Sequence, residues 1–199
     1  MSFVEIFTAT DSLRGLCALM ATGIGLVSFY AYVQAIFQLK TKPHIYTWLI
    51  WAVTQTIAVV GMYRGGAGTG GLGFVFGVVF IYIIFLLSFK FGTKNITFGD
   101  SISLALAVCC LVVWWQFDNL LYAVLLATLI DVFGYVPTLR KSYEEPGSEH
   151  TATWVGFSLA CFLALISLEQ YNLLSALYIG MNFVLNTAVA VICVARRRP

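Results

Sequence analysis

The chain has 199 residues, of which 60% are hydrophobic and 10% charged, and its mean hydropathy is +0.90. Soluble domains carry roughly 25% charged residues, so the composition excludes a water-soluble globular domain and points to a chain dissolved in lipid. A net charge of +2 offers no basic face for nucleic acid.

Residues 1–12 lack the basic start of a signal peptide, and the apolar stretch after them is too long for a cleavable one. Apolar segments divided by short polar ones predict seven spans, near 13–38, 45–63, 71–90, 100–117, 119–139, 152–168 and 172–195. Several approach the ~20 residues that cross a hydrocarbon core of ~30 Å; the fourth and sixth are short. The expected fold class is an all-α membrane protein with seven transmembrane helices and no soluble domain. Seven spans place Lys40, Lys42, Lys90, Lys94, Arg140, Lys141 and Arg196 to Arg198 on one side, against Arg14 and Arg64 on the other. Positive residues mark the cytoplasmic face. The N-terminus is therefore expected outside and the C-terminus in the cytoplasm.

A repeat runs through this plan. Tyr32-Val33-Gln34, then Pro43, then Thr47-Trp48 is answered by Tyr135-Val136-Pro137, Pro146 and Thr153-Trp154. The tyrosine-to-proline interval is the same in both copies, and the second loop is three residues longer before its Thr-Trp. Three helices end on the side opposite to their start, so one extra span is needed to set two copies parallel. That gives a 3+1+3 arrangement: residues 1–91 as the first three-helix repeat, 92–118 as a linker with helix 4, and 119–199 as the second repeat. An internal repeat in a membrane chain marks small-molecule transporters, with the site between the halves.

Asp131 is the one acid in the middle of a span, between Leu129-Ile130 and Val132-Phe133. A charge there costs at least ~3 kcal/mol on insertion scales, so it should face the bundle interior and find partners. Thr128, Asp131, Tyr135 and Thr138 share one helix face, and Thr128 and Tyr135 are placed to donate hydrogen bonds to the carboxylate. Asp131 is read as a ligand or proton-coupling site; a structural acid bonded to a neighbouring helix stays open. Tyr178, Asn182 and Asn186 recur at four-residue steps and offer amide donors and acceptors to a polar ligand, or glue between helices. Trp51 and Gln55 lie deep enough to stack on and orient a ring-shaped ligand, while Trp48 and Trp154 suit interfacial anchors equally well. On the third span Tyr82 is the strongest hydrogen-bonding side chain of its stretch. Pro137, with Gly134 beside it, predicts a bendable point.

The glycine run from Gly65 to Gly73 contains G-x-G-x-x-G but follows a membrane helix rather than a strand, so it is read as a flexible external hinge. Gly73 and Gly77 form a close-packing step. Cys17, Cys109, Cys110, Cys161 and Cys193 lie in apolar segments without metal spacing, and His44 and His150 sit in loops. No cofactor or metal is expected. No Ser-His, His-Glu-x-x-His or paired-acid arrangement stands within the spans, so an enzyme is not expected.

The 3+1+3 plan, with Tyr32-Val33-Gln34-Ala35-Ile36 and Lys40-Thr41-Lys42 at the cytoplasmic end of the first span, resembles the SWEET and PQ-loop superfamily. Its pattern is Pro-Gln-Ile followed by Lys-Thr-Lys; here Val33 replaces the proline, and in the second copy Pro137 is kept but Thr138 replaces the glutamine. The stretch Lys42-Pro43-His44 with Trp48 and Trp51 also looks like a group of bacterial PQ-loop-like proteins. More distantly the plan is similar to the nicotinamide riboside transporters. The resemblance implies an integral protein of the bacterial inner (plasma) membrane. It also implies a facilitator or proton-coupled carrier of a sugar-, nucleoside- or vitamin-like metabolite, working by alternating access. Its partners would be a small-molecule substrate and the lipid bilayer, with a homo-oligomer left open. A non-transporting receptor, sensor or assembly partner is the alternative.

Overall fold

A computed structural model describes residues 3–116 and 119–196. Phe117, at the end of the predicted fourth span, and Arg197, Arg198 and Pro199 of the basic tail lie outside the described residues. Among the described residues there is no strand. Within them seven α-helices follow one another: α1 (Phe3–Phe37), α2 (Ile45–Arg64), α3 (Leu72–Phe91), α4 (Phe98–Trp115), α5 (Leu120–Glu144), α6 (Thr151–Ile166) and α7 (Leu173–Arg196). Among the described residues, four stretches are long and apolar enough to cross a membrane: Ser12–Phe37, Ile45–Arg64, Gly68–Phe91 and Leu173–Arg196. Exposed Leu19, Val27, Val79, Leu86, Val184 and Val191 give these helices an apolar outer surface of the kind that lipid covers and water does not.

Local chemistry sets several ends. The Asn119 side chain accepts from the backbone N–H of Leu121 and Tyr122, capping α5. Pro43 precedes the His44 N-cap of α2, where a proline cannot continue α1. α5 runs on to Glu144, past the boundary predicted at residue 139.

In the packing, α3 lies against both α1 and α2, and α7 against both α5 and α6. Between these triplets α1 packs on α6 and α2 on α5, while α4 lies along α5 and touches α2. The glycine run differs from the flexible hinge read from sequence. A Cβ on Gly65 would stand 2.5 Å from the Cβ of Leu174, and one on Gly70 3.1 Å from the carbonyl of Ala164. Gly66 and Gly68 take φ of +79° and +57°, which other residues rarely adopt. The run is a fitted plug against α6 and α7.

Gly134 has a packing role. It lets α5 approach α2 so closely that a Cβ there would lie 2.8 Å from Trp51 Nε1 and 3.0 Å from an Ile50 methyl. Both neighbours are buried, so Gly134→Ala should cost about 1–3 kcal/mol through overpacking. A melting temperature in detergent unchanged by that substitution would contradict the tight fit.

Candidate functional site

A cavity of about 70 Å³ lies between the two triplets. The first triplet contributes Ala21, Gly25 and Phe29 from α1, Trp48, Trp51 and Gln55 from α2, and Gly73, Gly77 and Ile81 from α3. The second contributes Tyr135 from α5, Trp154, Phe157 and Cys161 from α6, and Tyr178, Asn182 and Asn186 from α7. The walls are unequal. Glycines, Phe74 and Ile81 face the cavity from α3 where a tyrosine and two asparagines face it from α7.

The predicted residues Trp51, Gln55, Asn182 and Asn186 come together on this cavity. Asp131 does not line it. Its carboxyl is buried behind the wall, with Thr54 Oγ1 at 2.6 Å and Tyr178 OH at 3.1 Å from Oδ1, and Asn182 Nδ2 at 3.3 Å from Oδ2. The donors expected from its own helix are engaged elsewhere. Thr128 donates to the carbonyl of Val124, and the Tyr135 hydroxyl sits 3.0 and 2.9 Å from Oδ1 of Asn182 and Asn186. Residues on one face of α5 all project toward its neighbours, so the carboxyl finds partners on α2 and α7. Tyr82 is also misplaced by the sequence reading: it is 44% exposed on the outer surface, and the residue before it, Ile81, lines the cavity. One step along a helix is a turn of about 100°. Sequence reasoning missed Thr54 as a partner of Asp131; its position three residues after Trp51, on the same helix face, was the available signal.

Trp48 and Trp154 are not anchors at a membrane surface. Both are buried, and with Trp51 they form an aromatic cluster at ring distances of 5.2 Å (Trp48–Trp51) and 6.0 Å (Trp51–Trp154). Two further pairs join the triplets: Trp51 on Tyr135 at 4.4 Å and Phe157 on Phe29 at 4.5 Å. Around Pro137 the helix is continuous. The Thr47 hydroxyl donates to the carbonyl of Gly134 (2.8 Å) and accepts from Thr138 (3.0 Å), strapping both sides of the proline. In α6 the corresponding Thr153 hydroxyl donates to the carbonyl of Ser28 at 3.3 Å.

Beyond the tryptophans, at the end where the α1–α2 and α5–α6 loops meet, charges read from sequence as loop residues are buried. Lys141 Nζ lies 2.5 Å from Glu149 Oε1 and donates to the carbonyl of Lys42 at 2.5 Å. Tyr32 OH and Trp154 Nε1 donate to Glu149 Oε2 at 3.2 and 3.0 Å. Alongside, Arg140 holds Asp100 in a two-point ion pair, and His44 Nε2 lies 3.3 Å from the same carboxylate. Burial holds the His44 imidazole below the usual histidine range, outweighing the pull of Asp100 in the other direction.

Among the described residues no group of three or more His, Cys, Asp or Glu could hold a metal ion. No family model matches the chain, and no curated protein and no solved structure matches it.

Proposed function

We propose that this chain is a membrane carrier of a small polar metabolite that works by alternating access between two parallel three-helix units. The units are residues 1–91 and 119–199, joined through helix 4 in residues 92–118; the N-terminus lies outside and the C-terminus in the cytoplasm. The observation that carries the reading is a central cavity walled by both units, with an aromatic end and an amide stripe backed by a buried carboxyl. Ligand sites in repeat-built transporters lie at the repeat interface.

The exchange of partners supports the repeat: α1 packs on α6 as α5 packs on α2. Four residue pairs share one offset of 106 positions: Thr47 with Thr153, Gly134 with Ser28, Trp51 with Phe157, and Tyr135 with Phe29. In this register Tyr135 answers Phe29 and not Tyr32. The textual match of the two Tyr-Val steps is thus displaced by three residues from the spatial one, the same three by which the second loop is longer.

Proton coupling has a geometric basis. The Thr54 hydroxyl owns one proton and has two acceptors, Asp131 Oδ1 at 2.6 Å and the carbonyl of Ile50 at 3.0 Å. A protonated Asp131 donates to Thr54, whose own hydrogen then bonds the Ile50 carbonyl; an ionised Asp131 accepts from Thr54 instead. Either form of the carboxyl is satisfied without moving a helix.

A cavity of about 70 Å³ admits a few waters, whereas small-molecule sites measure roughly 300–1,000 Å³. A substrate therefore enters only when the units part. The same small volume favours a second reading, a non-transporting receptor, sensor or assembly partner. Two measurements test the proposal. A reporter fused after Pro199 should be cytoplasmic and one within residues 65–71 external; both on one side removes the parallel-repeat plan. Proteoliposomes offered sugars, nucleosides, vitamins and amino acids should accumulate at least one of them; uptake of none, from protein that melts cooperatively, leaves the second reading standing.

A further inference from the structure

Outside the central cavity, a groove of about 370 Å³ opens at the end of the molecule where α1 and α3 stop. Its walls carry Lys42 from the α1–α2 loop, Lys90 from the last turn of α3 and Lys94 from the α3–α4 loop, against a single carboxylate, Glu145. Lys42 is shared with an adjoining groove that adds Lys40. All four lysines are exposed, and among the described residues none has a carboxylate within ion-pair distance. Glu145 is partly engaged, accepting from Asn95 Nδ2 at 2.8 Å. The Thr41 hydroxyl in the groove wall is buried and has no hydrogen-bond partner among the described residues.

The groove is built rather than incidental. The backbone N–H of Thr93 donates to the carbonyl of Pro43 at 3.0 Å, clasping the α3–α4 loop to the α1–α2 loop. Gly92 permits the clasp, since a Cβ there would lie 3.0 Å from that same carbonyl. Just below the lysines the wall turns apolar and outward. Phe37 and Phe91 meet edge to face at 5.7 Å, Lys90 Nζ lies over the Phe91 ring at 5.3 Å, and Leu39 is 71% exposed. Phe37 and Phe91 are the last residues of two stretches long and apolar enough to cross a membrane. A concentration of unpaired lysines directly above an exposed aromatic shelf, at the height where such helices leave lipid, matches a molecule with an anionic head and apolar tails.

The geometry points to a binding site for the headgroup of an anionic phospholipid, with Lys42, Lys90 and Lys94 on the phosphate, Thr41 as a short-range donor, and Phe37, Leu39 and Phe91 against the acyl chains. Basic recesses between helix ends are suited to this charge pattern, and the apolar shelf selects lipid over a free phosphate. The site is independent of whether the central cavity carries a substrate.

Thermal unfolding of the full chain in detergent micelles, with added phosphatidylglycerol or phosphatidylcholine of equal chain length, tests the assignment. Phosphatidylglycerol should raise the melting temperature by about 3 °C or more and phosphatidylcholine should not. The triple variant Lys42→Gln/Lys90→Gln/Lys94→Gln should lose that rise, while Arg14→Gln/Arg64→Gln, at the other end of the chain's helices, should keep it. Should the triple variant not fold, Lys90→Gln alone, followed by native mass spectrometry, should retain bound phosphatidylglycerol at least about twofold less than the unaltered chain. A rise that survives in the triple variant, that phosphatidylcholine matches, or that inorganic phosphate reproduces at equal concentration would overturn the lipid site, as would undiminished lipid retention by Lys90→Gln.

Discussion

Lys141→Met should destabilise the protein by about 3–5 kcal/mol, the loss typical when one partner of a buried ion pair is removed. Both ends of the pair are buried, at 0% and 1% exposure, so no water replaces the missing ammonium. Glu149 would keep the Tyr32 and Trp154 donors but would hold an uncompensated charge, and the Lys42 carbonyl would lose its donor. The double variant Lys141→Met/Glu149→Gln should recover most of the loss, because a neutral amide can still accept from Tyr32 and Trp154 while no charge remains. Unfolding in detergent micelles measures all three proteins. A loss below about 1 kcal/mol for Lys141→Met would place the pair with exposed salt bridges, and a double variant no better than the single would show that packing, not charge, dominates.

Asp131→Asn should abolish the pH dependence of uptake while the protein still folds. The substitution preserves shape and keeps one oxygen, which can accept from Thr54 and Tyr178 as Oδ1 does now. The new amide nitrogen would face Asn182 Nδ2 at the present 3.3 Å, donor against donor, unless Asn182 turns over. That conflict should cost on the order of 1–3 kcal/mol, enough to lower the melting temperature without unfolding the chain. Thr54→Val, close in volume but without the hydroxyl, should displace the pH profile with Asp131 still present, because the carboxyl loses the hydroxyl that partners it. Uptake in proteoliposomes across a pH series decides the matter. A folded Asp131→Asn protein whose pH profile is unchanged would make the carboxyl structural and the carrier a passive facilitator.

The parts of this molecule that could be read from sequence are those written within one helix. The four-residue steps of Tyr178, Asn182 and Asn186 fix a shared face whatever lies opposite, and Trp51 and Gln55 are one turn apart. Rotation about α3 was not legible, since that helix is apolar all round and only its glycines, Gly73 and Gly77, mark the inward side. Tyr82 attracted attention by chemistry and was on the wrong side of the helix. Asp131 announced itself by cost, but its partners come from residues 54, 178 and 182, a choice made by packing between distant segments. Lys141 and Glu149 both fall between the predicted fifth and sixth spans, where charges are expected in water. What buries them is Tyr32 and the Lys42 carbonyl from more than ninety residues away.

The two seams between the triplets differ in kind. Along two turns α2 is stitched to α5, by Thr47 on Gly134 and Thr138, by Trp51 on the Asp131 carbonyl, and by Thr54 on the Asp131 carboxyl. Where α1 meets α6, Thr153 holds the Ser28 carbonyl, and the rest of the contact is apolar, from the Phe29–Phe157 ring pair to Gly25 facing the Ala160 methyl. Separating the second seam forfeits dispersion at about 0.1–0.2 kcal/mol per atom pair; separating the first strands buried polar groups at about 1–3 kcal/mol each. The molecule is bound like a book, with α2–α5 as its spine and α1–α6 as its fore-edge. In the carrier proposed above, a route into the central cavity should open at the fore-edge first.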